Sequence, residues 1–290
     1  MLAWIAYATV AVVWGSTYFA IALGIESFTP YGMVAARYLT AGLLALGLSR
    51  LLKEPLPAWS DVRPLMLQGA LLLAVSNALV TWAEARVASG VTAVLCATAP
   101  LAYGILGQER LGLQGWAGQV LGLAGVVLLV DPFGGHFDLP GVLAILLAVL
   151  VWTWGTLHGR RRVKGKGVLG QVAVQMLTGG AIGLVLAPFT GGFLHHPPTA
   201  RAVLAVAYLM LFGSLIAYTA FIYLAKAWSP AKMGTYAYLN PVVAVLLGLL
   251  RQEPFTLRMA VGMAVILAAI ALVQVKPRQP EIGPEGLQEA

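Results

Sequence analysis

Residues 12–19 read Val12-Val13-Trp14-Gly15-Ser16-Thr17-Tyr18-Phe19, inside a run from Leu2 to Ile25 that carries no Lys, Arg, Asp or Glu. A run of that size matches the roughly 20 apolar residues a helix needs to cross a bilayer core. A glycine, two hydroxyls and large aromatics add little hydrophobicity in the middle of such a run. They either pack helices together or face something that passes through.

The rest of the chain makes the membrane reading general. Of the 290 residues 60% are apolar and only 10% charged, and the mean hydropathy is +0.85. These values lie outside the range of soluble domains and inside that of integral membrane proteins. The single cysteine, Cys96, sits in an apolar segment and offers neither a disulfide framework nor a cysteine-ligated metal site. The net charge of +7 falls in short loops between apolar runs rather than along one face, which argues against a nucleic-acid partner. The N-terminal run lacks a basic start and continues into further spans, so it reads as a first transmembrane helix rather than a signal peptide.

Charge-poor runs of spanning length recur, and ten spans are expected at about 2–25, 30–50, 64–84, 88–107, 112–130, 140–159, 168–189, 202–225, 231–250 and 256–275. The tail 276–290, with prolines and glutamates, reads as disordered. With the N-terminus inside, thirteen Lys and Arg fall in cytoplasmic loops and tail and four (Arg86, Arg201, Arg251, Arg258) outside. Basic residues are retained on the cytoplasmic side, so both termini are expected there, in a cell or inner membrane.

The chain also repeats itself. Trp14-Gly15-Ser16-Thr17-Tyr18 is echoed by Trp154-Gly155-Thr156-Leu157-His158 at an offset of 140, and residues 99–118 resemble 240–262 in the order proline, glutamate, glycine. Two repeats, 1–131 and 132–275, then hold five spans each. An odd number of crossings makes the second lie inverted relative to the first, the layout of alternating-access transporters with a site near the midplane. The fold class expected is therefore all-α and integral to the membrane, with a central cavity between the repeats.

Candidate site residues follow from depth and spacing. Tyr7, Ala11, Trp14 and Tyr18 share one helical face. At ~1.5 Å per residue, Trp14 and Tyr18 lie about 15–25 Å along the helix, deep enough for a cavity, although a packing face has the same pattern. In span 6 Trp154 and His158 repeat the i, i+4 spacing, with Trp152 on another face. A single membrane histidine is more often structural than a proton relay. Asn77, Thr81 and Glu84 form a polar stripe in span 3, which suits either the cavity or interhelical hydrogen bonding. Tyr218 in span 8, Tyr236 in span 9 and Tyr103 in span 4 complete the expected substrate-binding set, with Trp14, Tyr18, Asn77, Trp154 and His158. Pro100 and Pro241 free backbone carbonyls, so spans 4 and 9 can bend there as hinges or as packing kinks.

Arg37 lies in span 2 near the outer interface, where it could snorkel, pair with Glu26 or Glu84, or bind a substrate carboxylate; structural pairing is the favoured reading. Gly118 and Gly122 make one GxxxG, a weak dimerisation signal that leaves monomer or homodimer open. All eleven acidic residues fall in loops, at span ends or in the tail. The absence of an intramembrane carboxylate points to passive or exchange transport rather than tight proton coupling. There is no phosphate loop, HExxH or TVGYG motif, and no convergent catalytic constellation involving His136, His158, His195 or His196, so neither an enzyme nor a bound metal or cofactor is expected.

These features resemble the drug/metabolite transporter superfamily, specifically its EamA-like ten-helix members. The resemblance rests on the early "WGS", on "AARYLTAGLL" (35–44), "ALVTWAEARVASGVTAVL" (78–95) and "LNPVVAVLLGLLRQEP" (239–254), and on the final span, and covers essentially 1–275. One departure is span 4, about three residues short between proline and glutamate. The resemblance implies a basket of helices 1, 3, 4, 6, 8 and 9 around a central cavity. It also implies export of small metabolites; one branch, similar to YddG-type exporters, handles aromatic amino acids and methyl viologen. With Trp14, Tyr18, Trp154, Tyr218 and Tyr236 as lining, an aromatic or large apolar amino acid is the substrate expected, other planar or cationic metabolites being the alternative.

Overall fold

A computed structural model describes residues 1–87, 89–108, 111–130, 138–249 and 256–274, with no strand among them. The tail 276–290, His136 and the Glu109/Glu253 part of the repeat lie outside the described residues. The helices are α1 (Leu2–Gly24), α2 (Pro30–Leu51), α3 (Trp59–Gly69), α4 (Asn77–Glu84), α5 (Ser89–Cys96), α6 (Ala99–Leu106), α7 (Leu113–Val130), α8 (Leu139–Arg162), α9 (Val168–Leu186), α10 (Ala200–Tyr208), α11 (Ala217–Ala227), α12 (Pro230–Gly234), α13 (Tyr236–Leu249) and α14 (Leu257–Gln274). Two π-helical segments, Ala70–Ser76 and Leu209–Ile216, join α3 to α4 and α10 to α11. Among the described residues seven helices are long and apolar enough to cross a membrane, those through the π segments running Trp59–Glu84 and Ala200–Ala227; Thr92–Leu106 and Leu113–Leu129 are shorter apolar stretches.

Among the described residues these helices form ten segments, paired with an internal symmetry. The second span packs along the seventh (α2 on α9) and the fifth along the tenth (α7 on α14), while α1 packs against α11 and α13 as α8 packs against α4 and α6. Exchanging the first five spans for the second five maps this pattern onto itself. The local irregularities obey the same exchange: spans 3 and 8 each carry a π segment, and spans 4 and 9 are each broken, after Cys96 and at Thr235.

Small residues set the outer pairs. A Cβ on Gly180 of α9 would stand 2.6 Å from the Leu39 backbone nitrogen of α2, and one on Gly118 of α7 2.7 Å from the Val273 side chain of α14. Gly122, the other half of the GxxxG, faces the Tyr238 ring, whose hydroxyl donates to the Gln119 carbonyl at 2.7 Å. Both glycines are thus filled by their own chain rather than presented to a second copy.

The two ends of the bundle differ. At the end rich in Lys and Arg, the Glu54 carboxylate accepts from the backbone N–H groups of Val168 and Leu169 at the start of α9, and Asp61 accepts from those of Lys164 and Gly165. Arg160 donates to the carbonyls of Ala225 and Trp228. At the opposite end Thr29, Asp138 and Thr199 cap α2, α8 and α10. The loop after α9 turns there on Gly191 and Gly192, whose positive φ of 105° and 85° suits glycine, and Leu194 bridges to Phe28.

Candidate transport site

The centre of the bundle holds a cavity lined from spans 1, 2, 3, 4, 6, 8 and 9. The π segments help to shape it. In both segments a side chain donates to the carbonyl five residues before it: Asn77 Nδ2 to the Leu72 carbonyl at 2.9 Å, which also accepts the Asn77 backbone N–H, and Ser214 Oγ to the Leu209 carbonyl at 3.0 Å. Trp14 Nε1 donates to the Gly213 carbonyl at 3.0 Å, which fixes an indole face toward the cavity.

Around Trp14 the rings form a connected set. Trp152 and Tyr236 meet it edge-on at 5.5 and 5.2 Å, and Phe221 lies tilted against it at 5.2 Å. The fully buried Phe221 also touches Trp152, Tyr218 and Tyr236. Such offset and edge-to-face contacts contribute about 0.5–1.5 kcal/mol each beyond burial and hold the rings rigid. Within this apolar wall Trp152 Nε1 and the Tyr218 hydroxyl are buried and unpartnered.

Of the expected residues, the structure brings Trp14, Tyr18, Asn77, Tyr218 and Tyr236 to the cavity wall. Three lie elsewhere. Tyr103 is fully buried, donates to Thr156 Oγ1 at 3.2 Å and packs under Gly234, which accounts for the packing of span 4 but keeps it off the wall. Trp154 is 49% exposed and stacks on His158 at 5.1 Å on the outside of α8, in a cleft it shares with Arg161 and Arg162. The indole of span 6 that faces inward is Trp152. Two residues are about 200° of helix rotation, so an exact sequence echo two positions off selects the opposite face.

The prolines divide as well. Span 4 breaks directly before Pro100, which occupies the first turn of α6 where its missing N–H costs little. Pro241 lies inside α13, which runs on through it, and the break of span 9 is at Thr235 instead. There Thr235 Oγ1 meets the Tyr7 hydroxyl at 2.9 Å and Gln274 Nε2 at 3.3 Å.

Two charged residues correct the sequence reading. Arg37 neither snorkels nor pairs with Glu26 or Glu84: it is 7% exposed, lines the cavity, and donates from Nε to Ser214 Oγ at 2.5 Å. Glu84 closes α4, but its carboxylate turns inward, within electrostatic reach of Tyr18 and Cys96, with both oxygens buried and unpartnered. A carboxylate is therefore present inside the bundle, at a span end that sequence alone assigns to water. Cys96 and Asn240 also reach the cavity wall.

The EamA-like transporter family model matches residues 1–131 and again 139–275. The chain is 38% identical over 288 residues to the inner membrane transporter YedA of Escherichia coli (strain K12), covering 94% of this chain and 92% of that one. It is 29% identical to the protein PecM of Dickeya dadantii (strain 3937), over 90% of this chain and 89% of that one. A crystal structure aligns over 94% of this chain and 96% of its own with a TM-score of 0.79 at 20% identity, which shows the shared fold. The chain belongs to the EamA-like transporter family and is a membrane transporter.

Proposed function

We propose that the protein carries an amino acid with an aromatic or large apolar side chain across the inner membrane by alternating access, with both termini cytoplasmic and 1–131 and 132–275 as its two inverted halves. The observation that carries this reading is the cavity wall of Trp14, Trp152, Tyr218 and Tyr236, in which rigid ring faces suit a planar or bulky apolar group. The unpartnered Trp152 Nε1 and Tyr218 hydroxyl add polar atoms that a solute's own polar group can satisfy. Exposed large apolar side chains on the outward faces of the helices, such as Leu43, Leu147 and Val185, fit contact with lipid.

The test is uptake of labelled phenylalanine, tryptophan and threonine by purified protein in liposomes, with and without an imposed proton gradient. Saturable uptake of phenylalanine and tryptophan in preference to threonine is expected. Equal uptake of threonine, or uptake of none of the three, would sink the substrate assignment. The buried Glu84 removes the argument against proton coupling that the sequence suggests, so the gradient arm decides it. A gradient-driven rise that disappears in Glu84→Gln would assign the coupling to this carboxylate.

A further inference from the structure

We infer that Arg37 is the anion-recognition point of the cavity and that the transported solute presents a carboxylate or similar planar anion to it. This deepens the proposal above and rests on its reading of the cavity as the transport site. Arg37 lies seven residues into α2 from Pro30, in a chain whose family membership places α2 in a membrane. A guanidinium holds its charge even when buried. A charge at such depth is costly and is ordinarily paired or turned to a water-filled path.

The surroundings of Arg37 provide a positioning contact but no countercharge. Its Nε donates to Ser214 Oγ, and its guanidinium carbon stands 4.9 Å from the Tyr38 ring centroid. Among the described residues the terminal nitrogens take no carboxylate and no other hydrogen bond. Ser214 is itself held, since its hydroxyl donates to the Leu209 carbonyl at the start of the second π segment. The hydroxyl thus accepts from Arg37 while donating to the backbone, and the guanidinium is oriented by its Nε edge. That leaves the two-nitrogen fork, the edge that fits a carboxylate through two parallel hydrogen bonds. Because Arg37 lies on the same wall as Trp14 and Tyr218, an anion seated on it would place the rest of the molecule among the rings. A cationic solute of the same shape would be repelled from that seat, which decides between the two solute classes that the aromatic lining alone accepts.

The test uses the full chain in detergent and four probes of matched shape and different charge: 3-phenylpropionate, phenylalanine, 3-phenylpropanol and phenethylamine. Binding is followed through the quenching of intrinsic tryptophan fluorescence. Saturable binding of 3-phenylpropionate and phenylalanine is expected, at least tenfold tighter than that of phenylpropanol, with phenethylamine weakest. Arg37→Gln should erase that ranking while keeping the weak, charge-blind binding of phenylpropanol, and Arg37→Lys should restore part of it. Equal binding of the four probes by the wild-type chain, or an unchanged ranking in Arg37→Gln, overturns the inference, as does the absence of any binding. The wild-type ranking stands even if Arg37→Gln does not fold. If 3-phenylpropionate binds through Arg37 but phenylalanine is neither bound nor taken up, the anion site holds and the amino-acid reading fails.

Discussion

Trp152→Leu is expected to lower uptake of an aromatic solute by about tenfold, since the lost ring contacts amount to ~1–1.5 kcal/mol and 1.4 kcal/mol is a factor of ten. Trp154→Leu, two residues away, should stay within about twofold of wild type, because that ring stacks on His158 outside the cavity. Initial rates in liposomes on matched protein amounts check both, and a larger loss at Trp154 would overturn the assignment of faces. Glu84→Gln is expected to leave the thermal midpoint unchanged or raised, because it replaces an unpartnered carboxylate by a neutral group of the same shape. A clear fall would show that a donor or cation holds the carboxylate. At this scale the sequence reading was uneven. Trp14, Tyr18 and Asn77 were legible from depth and spacing, whereas Trp152 was hidden by the stronger echo of Trp154-Gly155. In span 6 the outward face is as apolar as the inward one, so periodicity does not say which side is in.

The elements that shape the site are the irregular ones. Asn77→Leu removes the side-chain hydrogen bond to the Leu72 carbonyl in the first π segment, and is expected to cost about 1 kcal/mol of stability and to reduce uptake. The pair of outer helices is more brittle. Gly180→Ala would press a methyl to 2.6 Å from the Leu39 nitrogen, and overpacking of this kind costs about 1–3 kcal/mol. Its expected signature is a lowered thermal midpoint with the affinity of the surviving folded protein unchanged, because α9 contributes nothing to the cavity wall. Spans and their order were legible, since length and hydrophobicity of a crossing segment are imposed by the bilayer. The breaks were only half so. Pro100 marks one by its own chemistry, while the break at Thr235 carries no proline and is stabilised by Tyr7 and Gln274 from other spans.

For the whole molecule, the contacts of Glu54, Asp61 and Arg160 tie the basic end together beneath the cavity. Asp61→Asn should loosen that end. Cys96 supplies the probe, being the one cysteine of the chain and on the cavity wall. In oriented vesicles, labelling of Cys96 by a small membrane-impermeant thiol reagent from the side bearing the basic loops is expected to be slow in wild type and several-fold faster in Asp61→Asn. A saturating solute should protect the thiol from the other side. Equal labelling from both sides in wild type would show that the polar contacts do not close the basic end.

The apolar runs and the internal echo determined by themselves that this is an all-helical, many-span membrane protein with a repeated sequence, because the length of a crossing segment is what a bilayer demands. The tertiary structure alone decided which aromatic of each span faces inward, that Gly118 and Gly122 are used within the chain, and that Arg37 and Glu84 lie inside. Lipid and protein interior are alike in polarity, so a membrane helix is not obliged to write its buried face into its sequence; the face is chosen by which neighbours it meets.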